Sequence, residues 1–394
     1  MARPVRTLAA LSALYFTQGL PFGFQALALP VYLRQSGVAL TTIGFLSALA
    51  APWIIKPVWG PLVDRYGTRR RWIVPLQGGL ALTCAAAALS PPTSHAGMVG
   101  LLALVFLMNL FAATQDVAVD GLAVDLLRPE DLGAGNTAQV VGYKVGMLTG
   151  GGVLVGLSAD IGWRGLFLIM AGLTALALAV TLTVREAPRR PVERETFGDI
   201  FRTLSAALVR RENVVLVAFL LTYKLGESMN DTMWKPFLVD AGLGTRFIGW
   251  VNGTLGMAAS IAGSLAGGWL ATVMPLERAL WYPAVARLVP LMAQAVVAAV
   301  PAGKVAVAVV VVAEHFCGGA LTTVVFATMM ARTDKRVGAS HYTALAAVEV
   351  VGKFPGGWIS GPVAQAAGYP TTFALGTALS AAFLLVLRRL TARR

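Results

Sequence analysis

The sequence has few charged residues and few of the residue types that build metal sites or disulfides. Asp, Glu, Lys and Arg make up 13% of its 394 residues, and it contains 2 cysteines and 3 histidines. Cys84 and Cys317 lie far apart within apolar runs, so they provide no disulfide framework. No HExxH or CxxC pattern occurs. A metal-dependent enzyme is therefore not indicated, and we expect no cofactor.

Acidic residues are scarce relative to basic ones, with 19 Asp and Glu against 32 Lys and Arg and a formal charge of +13. In a soluble protein this balance would suggest a nucleic-acid partner. The composition excludes a soluble protein, because 57% of the residues are hydrophobic and the mean hydropathy is +0.71. We expect an integral membrane protein that contacts the lipid bilayer and binds no nucleic acid.

Long apolar runs are what the chain has in abundance. A bilayer core of about 30 Å needs roughly 20 apolar residues per helical crossing. Twelve such segments can be placed between polar breaks, so we expect an all-α polytopic membrane protein with twelve transmembrane helices. The predicted spans are residues 8–33, 40–62, 72–90, 97–126, 137–158, 164–184, 214–239, 246–273, 279–299, 302–331, 338–362 and 368–388.

Basic residues concentrate at the chain ends and in every second connection between these spans. The opposite connections contain only Arg34, Arg164, Arg246 and Lys304. Positive residues accumulate on the cytoplasmic side of membrane proteins, so we expect both termini to be cytoplasmic in an inner or plasma membrane. The N-terminal run starts like a signal peptide but continues for a full span, and we interpret it as uncleaved.

A polar stretch at residues 185–213 divides the predicted spans six and six. It is typical of a cytoplasmic linker containing an amphipathic helix. Tyr15 and Tyr223 are 208 residues apart, and Lys144 in VVGYKVG and Lys353 in VVGKFPGG are 209 apart. These echoes predict an internal repeat. We expect two pseudo-symmetric six-helix bundles, residues 1–184 and 214–394, joined by this linker.

The stretch GPLVDRYGTRR after the second span resembles the signature loop of the major facilitator superfamily. Its glycines permit close helix approach and a tight turn, and its acid can pair with a basic side chain. The resemblance implies the major facilitator fold and a latch on the cytoplasmic side. The residues that match this gating motif are Gly60, Asp64, Arg65, Gly67, Arg69 and Arg70.

A narrower resemblance covers most of the N-terminal half. QGLPFGF, ATQDVAVDGLAVDLL and GAGNTAQVVGYKVGMLTGG are similar to the AmpG muropeptide permeases and the related acetyl-CoA transporters. TYKLGE resembles the animal major facilitator domain-containing protein 3 family. The resemblance implies a transporter with muropeptide-like cargo first, and acetyl-CoA or another CoA ester or carboxylate as the alternative. AmpG proteins typically have two further helices, which these twelve spans lack.

Acids and amides interrupt the run NLFAATQDVAVDGLAVD of the fourth predicted helix. Asn109, Asp116 and Asp120 lie within about 40° of one another around a helix and so share a face. Acids at membrane depth are costly unless they face a cavity or a cation. Asp125 lies off this stripe beside Arg128, and we interpret it as a surface acid.

Lysines interrupt the apolar spans as well, and several have glycine neighbours that leave room for a ligand. Carboxylate or phosphate groups would neutralise these lysines, so we expect a small anionic substrate. Lys56, beside Pro57, is interpreted as structural or gating. The predicted substrate-binding residues are Tyr15, Gln18, Asn109, Gln115, Tyr143, Lys144, Tyr223, Lys224 and Lys353.

The energy source is expected to be an ion gradient, because the Gly-rich run TGGGVLVG lacks the GKS or GKT of a nucleotide-binding loop. Lys224, Glu227 and Asp231 have the spacing of one helical stripe. Buried acids can bind protons, and an ion-pair lattice that only ties helices together is the alternative, also for Glu349 with Lys353. The candidate proton sites are Asp116, Asp120, Glu227 and Asp231.

The expected mechanism is that of a monomeric secondary transporter whose two bundles rock about a central site. Proline beside glycine in QGLPFGF and KFPGGW predicts kinks in the first and eleventh helices. A non-transporting membrane sensor and an integral-membrane acyltransferase are the alternatives of another class. An acyltransferase would need a nucleophile or a His–acid pair, and Glu314 and His315 are expected to point to different helix faces.

Overall fold

A computed structural model describes residues 2–56, 63, 68–126, 132–183, 214–332 and 338–392. These residues form helices and no strand. Four residues of the predicted gating motif, Gly60, Asp64, Arg65 and Gly67, lie outside the described ranges, as does the predicted linker 185–213.

The α-helices are numbered here in chain order. They are α1 Ala2–Gly23, α2 Leu29–Gln35, α3 Leu40–Gly44, α4 Ala51–Ile54, α5 Arg69–Ala87, α6 His95–Leu126, α7 Leu132–Leu148, α8 Leu154–Thr183, α9 Val214–Thr222, α10 Leu225–Asp240, α11 Thr245–Phe247, α12 Gly256–Val273, α13 Leu276–Ala286, α14 Leu288–Ala299, α15 Lys304–Ala331 and α16 Gly338–Thr391. Three wider π-helical segments, Phe24–Ala28, Thr149–Val153 and Ile248–Leu255, and a 3-10 segment, Phe45–Ala50, connect some of them.

Proline disturbs the two predicted kink sites differently. In the first helix, Pro21 lies three residues before the π-helical segment Phe24–Ala28, where the backbone widens and then continues as α2. In KFPGGW, α16 runs through Pro355 without an interruption. The first predicted kink thus coincides with a distorted segment, whereas the second falls in a regular stretch of helix.

Six helices in the described part of the chain are long and apolar enough to cross a membrane. They are His95–Ala123, Ala138–Thr183, Thr245–Val273, Leu276–Ala299, Lys304–Met329 and Leu345–Thr391. Two of them, 46 and 47 residues long, bend at Gly162 and Gly368, whose φ angles of 70° and 80° favour glycine. Each is therefore a pair of helices joined by a one-glycine turn.

Large apolar side chains cover much of the outer surface. Leu82 is 72% exposed, Leu265 73% and Val305 78%. In a soluble protein so much exposed apolar surface would drive association, whereas lipid tails solvate it. The surface agrees with the membrane location that the composition predicts.

The seventh predicted span is interrupted. Residues 214–239 were expected to form one helix, but α9 ends at Thr222 and α10 begins at Leu225. Lys224, with φ −106° and ψ 1°, is not helical. The ninth predicted span, in contrast, continues through Arg287, whose φ of −65° and ψ of −26° are helical. The break in the seventh span brings Lys224 to a helix end, which spacing on a continuous helix does not predict.

The helices pack into two compact units. The N-terminal unit comprises the described residues within Met1–Ser36, Leu49–Phe197 and Gly244–Gly253, and the C-terminal unit those within Gly37–Ala48, Gly198–Leu243 and Thr254–Arg394. Tyr15 belongs to a buried apolar cluster of the N-terminal unit, and Tyr223 to a buried apolar cluster of the C-terminal unit. Two short segments, 37–48 and 244–253, therefore pack with the unit formed mainly by the other half.

Glycines allow the same close helix packing in both units. In the N-terminal unit, a side chain at Gly142 would meet the backbone of Ser12, and one at Gly146 would meet Phe16. In the C-terminal unit, Gly352 lies against Leu221 and Gly356 against Leu225. Each residue of the first set has a counterpart 209 or 210 positions later in the second, close to the sequence offset.

The segments 37–48 and 244–253 each pack closely against another helix of their unit at a pair of glycines. Within the C-terminal unit, Gly44 approaches the backbone of Gly361, and within the N-terminal unit Gly253 approaches Gly152. The two pairs are related by an offset of 209 residues at both positions. Absence of a Cβ permits these backbone approaches.

Candidate functional site

The N-terminal unit contains an ion pair at membrane depth. Lys56 binds Asp116, and 26% of the lysine side chain and 9% of the aspartate side chain are exposed. The Lys56 ammonium also lies 4.6 Å from the centroid of the Trp53 ring, a cation–π contact. Trp53 Nε1 donates a hydrogen bond to Asn109 Oδ1 at 2.9 Å. The acid of α6 is therefore neutralised by a lysine that a tryptophan holds in place.

Asp120, one turn after Asp116, has a different environment. It is exposed, it accepts hydrogen bonds from Tyr15 Oη at 2.7 Å and from Gln139 Nε2 at 3.2 Å, and it has no ion pair with any described residue. The predicted shared face of the fourth helix thus has one acid paired with a cation and one held by neutral donors.

Buried amides surround this stripe. Gln115 donates to the Thr17 hydroxyl at 2.9 Å. Asn109 Nδ2 donates to the carbonyl of Val105 in its own helix. Gln18 is completely buried, yet neither its amide nitrogen nor its amide oxygen has a hydrogen-bond partner among the described residues. Buried polar groups are normally satisfied, so Gln18 is a candidate contact for a ligand or an ordered water.

Three aromatic rings form a cluster next to these polar groups. Phe22 lies 5.7 Å from Trp53 and 6.0 Å from Tyr143, and Trp53 lies 6.3 Å from Tyr143, measured between ring centroids. All three residues are partly exposed. The cluster joins the first, second and fifth predicted helices and fixes the position of Trp53 over Lys56.

Lys144 follows Tyr143 on α7 and is half-buried. Its ammonium has neither an ion pair nor a hydrogen bond with any residue of the described ranges. It lies away from the face that Gly142 and Gly146 pack against the first helix, near exposed Val140. Six other cations of the predicted spans are paired with acids: Lys56, Lys224, Lys235, Arg246, Arg287 and Lys353.

Two arginines of the predicted gating motif bind other helices of the N-terminal unit. Arg69 is 6% exposed, and its guanidinium lies against Gly121 of α6. Arg70 Nη2 donates to the carbonyl of Leu182 in α8 at 2.8 Å. The end of the motif therefore ties the start of α5 to two neighbouring helices.

In the C-terminal unit, the interrupted seventh helix faces an acid of α16. Tyr223 Oη donates to Glu349 Oε1 at 2.6 Å, and Lys353 Nζ lies 2.8 Å from Glu349 Oε2. Lys224 Nζ lies 3.9 Å from the same carboxylate. Glu349 is 2% exposed and has three donors around its carboxylate.

A second acid cluster in this unit surrounds Arg287. The guanidinium binds Glu227 and, at 2.8 Å, Glu314 Oε1. His315 Nδ1 lies 3.0 Å from both Glu314 Oε2 and the carbonyl of Val311. The expectation that Glu314 and His315 point to different faces was wrong, because both side chains turn to the same side and make contact. Arg287 therefore bridges glutamates of two other helices, Glu227 of α10 and Glu314 of α15.

Asp231 does not join this cluster as the predicted stripe implied. It binds Lys235 of its own helix, and 51% of its side chain is exposed. Lys224 contacts Glu227 at 3.8 Å. This contact is the local Lys–Glu pairing that the i, i+3 spacing predicted, although Lys224 precedes the first residue of α10. Asn230 instead reaches Gln294, at 3.0 Å.

The structure thus groups the predicted site residues by unit. Tyr15, Asp120 and the helix of Lys144 meet in one unit, and Tyr223, Lys224 and Lys353 meet in the other. Six residues that were not among the predicted site residues make the hydrogen bonds and ion pairs of these two groups: Trp53, Gln139, Arg287, Glu314, His315 and Glu349. Trp53 precedes Lys56 by three residues, a helical spacing that could have indicated their contact.

Several bacterial proteins are similar to this chain over most of its length. The anhydromuropeptide permease of Escherichia coli (strain K12) is 29% identical over 387 residues, which cover 96% of this chain and 78% of the permease. An uncharacterised protein of Haemophilus influenzae is 29% identical over 376 residues, covering 90% of this chain and 87% of that protein.

Solved transporter structures have the same fold. The nucleoside transporter NupG superposes with a TM-score of 0.74 at 14% identity, covering 98% of this chain and 99% of that one. A D-xylose-proton symporter superposes with a TM-score of 0.74 at 11% identity, covering 97% and 96%. At these identities the likeness concerns the fold alone.

A family model supplies the assignment for the sequence itself. The model of the Major Facilitator Superfamily matches residues 11–354, which is most of the chain. Together with the similarity to a permease over 96% of the chain, this identifies a transporter rather than an enzyme. The chain belongs to the Major Facilitator Superfamily of integral membrane transporters and is similar to the anhydromuropeptide permeases.

Proposed function

We propose that this transporter moves an anionic organic solute across the inner or plasma membrane by alternating access, coupled to protons. A muropeptide-like cargo ranks first, because the Escherichia coli relative is named an anhydromuropeptide permease. Muropeptides contain sugar and peptide groups with free carboxylates, and carboxylates pair with lysine.

Lys144 is the observation that carries this proposal. An unpaired ammonium at membrane depth is costly unless a cavity or an anion solvates it. Lys144 lacks a partner in the described ranges, whereas the lysines of the C-terminal unit's charged cluster have one. A carboxylate of the cargo would fill the place of the missing partner. Gln18, with its unsatisfied amide, supplies a second polar contact in the same unit.

Asp120 is the proposed proton site in the N-terminal unit. Of the four candidate acids, Asp116, Glu227 and Asp231 are paired with cations, which stabilise the ionised form. Asp120 has only neutral donors, Tyr15 and Gln139, among the described residues. Because Gln139 belongs to the same helix as Lys144, protonation of Asp120 can be linked to movement of that helix.

The proposed architecture has twelve spans in two bundles, residues 1–184 and 214–394, with a linker at 185–213. Bends at Gly162 and Gly368 support counting each of the longest apolar helices as two crossings. The matched glycine contacts support the pseudo-symmetry. The distribution of basic residues supports cytoplasmic termini. The proposed transporter acts as a monomer, as the family resemblance implies.

Acetyl-CoA or another CoA ester or carboxylate is the second candidate cargo. Such molecules also carry the negative charge that Lys144 requires. The aromatic cluster of Phe22, Trp53 and Tyr143 could stack on a sugar or on a nucleobase. Uptake assays with an anhydromuropeptide and with acetyl-CoA distinguish the two classes of cargo.

The alternatives of another class have weaker support. The Glu314–His315 contact supplies a His–acid pair for an acyltransferase, but Arg287 occupies the other oxygen of that carboxylate. A sensor with the same fold would bind the anion without moving it. Accumulation of unchanged cargo inside vesicles separates transport from both.

The test is uptake by the full chain in proteoliposomes with an imposed pH gradient, using a radiolabelled anhydromuropeptide, acetyl-CoA and acetate. We expect uptake of one anion by the wild type, loss of at least about 100-fold in Lys144→Met, and partial recovery in Lys144→Arg. Asp120→Asn should abolish the response to the pH gradient while exchange without a gradient remains. Equal uptake by wild type and Lys144→Met would contradict the proposal.

A further inference from the structure

The charged cluster of the C-terminal unit is balanced by its own members. Three acids, Glu227, Glu314 and Glu349, lie together with three cations, Lys224, Arg287 and Lys353. With His315 neutral, the cluster has no net charge. Any change in the charge of one member must be offset by another, because unbalanced charge at membrane depth is costly.

Lys224 is the most loosely held cation of this cluster. Its two ion-pair distances are 3.8 Å to Glu227 and 3.9 Å to Glu349, longer than a hydrogen bond. Each of these acids has a closer cationic partner, Arg287 for Glu227 and Lys353 for Glu349. Lys224 can therefore turn to another anion without leaving either carboxylate unpaired.

Its departure would leave the cluster with one excess negative charge. Arg287 would then serve both Glu227 and Glu314 alone. His315 is the remaining group next to these acids that can gain a proton near neutral pH. Its Nδ1 already faces Glu314 and the carbonyl of Val311, so Nε2 is the atom that accepts the additional proton.

Groups on its own helix and on neighbouring helices surround the His315 ring. Glu314 on its own helix binds the ring, and Arg287 lies behind that acid. From α10, Asp231 and Lys235, which pair with each other, bring one charge of each sign near the ring. On α12, Gly256 lies so close to the ring that a Cβ there would be 2.9 Å from Nε2, and 16% of the imidazole is exposed.

We infer that Lys224 and His315 form a charge-exchange pair: an anionic group that takes Lys224 from Glu227 and Glu349 causes one proton to bind His315 through the Arg287–Glu314 bridge. This inference rests on the proposed transport of an anion, and it adds a proton-binding position distinct from Asp120. One proton then enters with each negative charge bound at Lys224.

The experiment needs no known cargo, because removal of the Lys224 charge imitates its capture. The chain has three histidines, so a His95→Gln/His341→Gln background leaves His315 as the sole ¹⁵N-histidine signal. At pH 7 we expect Lys224→Met to raise the ratio of protonated to neutral His315 by about tenfold relative to that background. Lys224→Arg should leave the ratio unchanged.

Lys304→Met is the matched control, because it also removes one lysine charge. Lys304 lies on the helix of His315, about 16 Å away along the axis. This variant should not change the ratio. Glu314→Gln combined with Lys224→Met should abolish the rise, because the bridge is lost. An unchanged ratio in folded Lys224→Met, as judged by its melting temperature, would overturn the inference.

If Lys224→Met does not fold, the background protein is measured with and without a saturating anhydromuropeptide tripeptide, and no increase in protonated His315 overturns the inference. Failure of this inference is distinguishable from failure of the proposed function. Uptake that depends on Lys144 together with an unresponsive His315 removes only the exchange pair. A responsive His315 without anion uptake removes the cargo assignment and leaves the exchange pair.

Discussion

Lys144 and Lys353 lie on matching glycine-containing helices of the two halves, but only Lys353 has an acid one turn before it. Glu349 precedes Lys353 by four residues and lies 2.8 Å from it, whereas Val140 precedes Lys144. Residues four apart are neighbours on a helix surface. The C-terminal unit therefore neutralises its lysine internally, and the N-terminal unit keeps a cation for a ligand.

The comparison shows that a buried lysine does not by itself indicate an anion site. Sequence pattern makes Lys144, Lys224 and Lys353 candidate substrate contacts, with an ion pair to Glu349 as the alternative for Lys353. In the structure two of them belong to a balanced cluster and one has no partner in the described ranges. A candidate ligand contact is therefore a lysine that its neighbours leave unpaired, such as Lys144, or hold only at a longer distance, such as Lys224.

The largest effect is expected from removing the acid that pairs with Lys353. Glu349→Val leaves Lys353 and the Tyr223 hydroxyl without their acceptor in a buried place, and should lower the free energy of unfolding by about 3–5 kcal/mol. Lys144→Met removes a charge that has no partner in the described ranges and should change it by less than about 1 kcal/mol. Denaturant titration in detergent measures both. Equal losses would show that Lys144 is structurally paired after all.

The shared glycine contacts give the next effect. Gly146→Leu and Gly356→Leu each push a side chain into the backbone of the facing helix and should cost about 1–3 kcal/mol. Gly172→Leu is the control, because no described neighbour lies within 4 Å of the place that its Cβ would take. Melting temperatures of the three variants measure these losses. If the leucine were tolerated in one half only, the predicted pseudo-symmetry would be contradicted.

An acid introduced one turn before Lys144 should give this lysine the pairing that Lys353 has. Val140→Glu places a carboxylate four residues before Lys144, and we expect anion affinity to fall by about tenfold because the lysine is then neutralised. Val145→Glu adds the same charge at a neighbouring exposed position that points to a different face. Titration calorimetry with the transported anion compares them. An equal fall in both would mean that net charge, not pairing, matters.

The smallest effect concerns the two tyrosines. Tyr223→Phe deprives a buried carboxylate of a donor and should cost about 2 kcal/mol. Tyr15→Phe deprives the exposed Asp120, which water can solvate, and should cost under about 1 kcal/mol. The comparison uses unfolding at neutral pH. A reversed order would place the more buried acid in the N-terminal unit.

Much of the fold could be predicted from the sequence, because apolar length alone identifies membrane helices. The family assignment was equally accessible from GPLVDRYGTRR. The break at Lys224 was not, since no proline interrupts the seventh span before that point and helical spacing assumed a continuous helix. The segments 37–48 and 244–253 also pack with the opposite unit, a tertiary arrangement that local pattern does not contain.

The site was predictable in residue type but not in pairing. The spacing of Asp116 and Asp120 placed them on one face, yet their partners come from other helices, Lys56 for one and Tyr15 for the other. Those contacts link residues 60 and 105 positions apart in sequence. No periodicity reports a distance of that kind. Which lysine stays unpaired therefore required the structure.

The central claim is that Lys144 binds the anionic group of the cargo. The most direct measurement is thermal stabilisation of the purified full chain by anhydromuropeptides, acetyl-CoA, CoA and simple carboxylates at pH 5.5 and 7.5, in the wild type and in Lys144→Met and Lys353→Met. A ligand that binds the folded state raises the melting temperature. If Lys144 binds the anion, one of these anions stabilises the wild type and Lys353→Met but not Lys144→Met. Equal stabilisation of Lys144→Met would contradict the central claim.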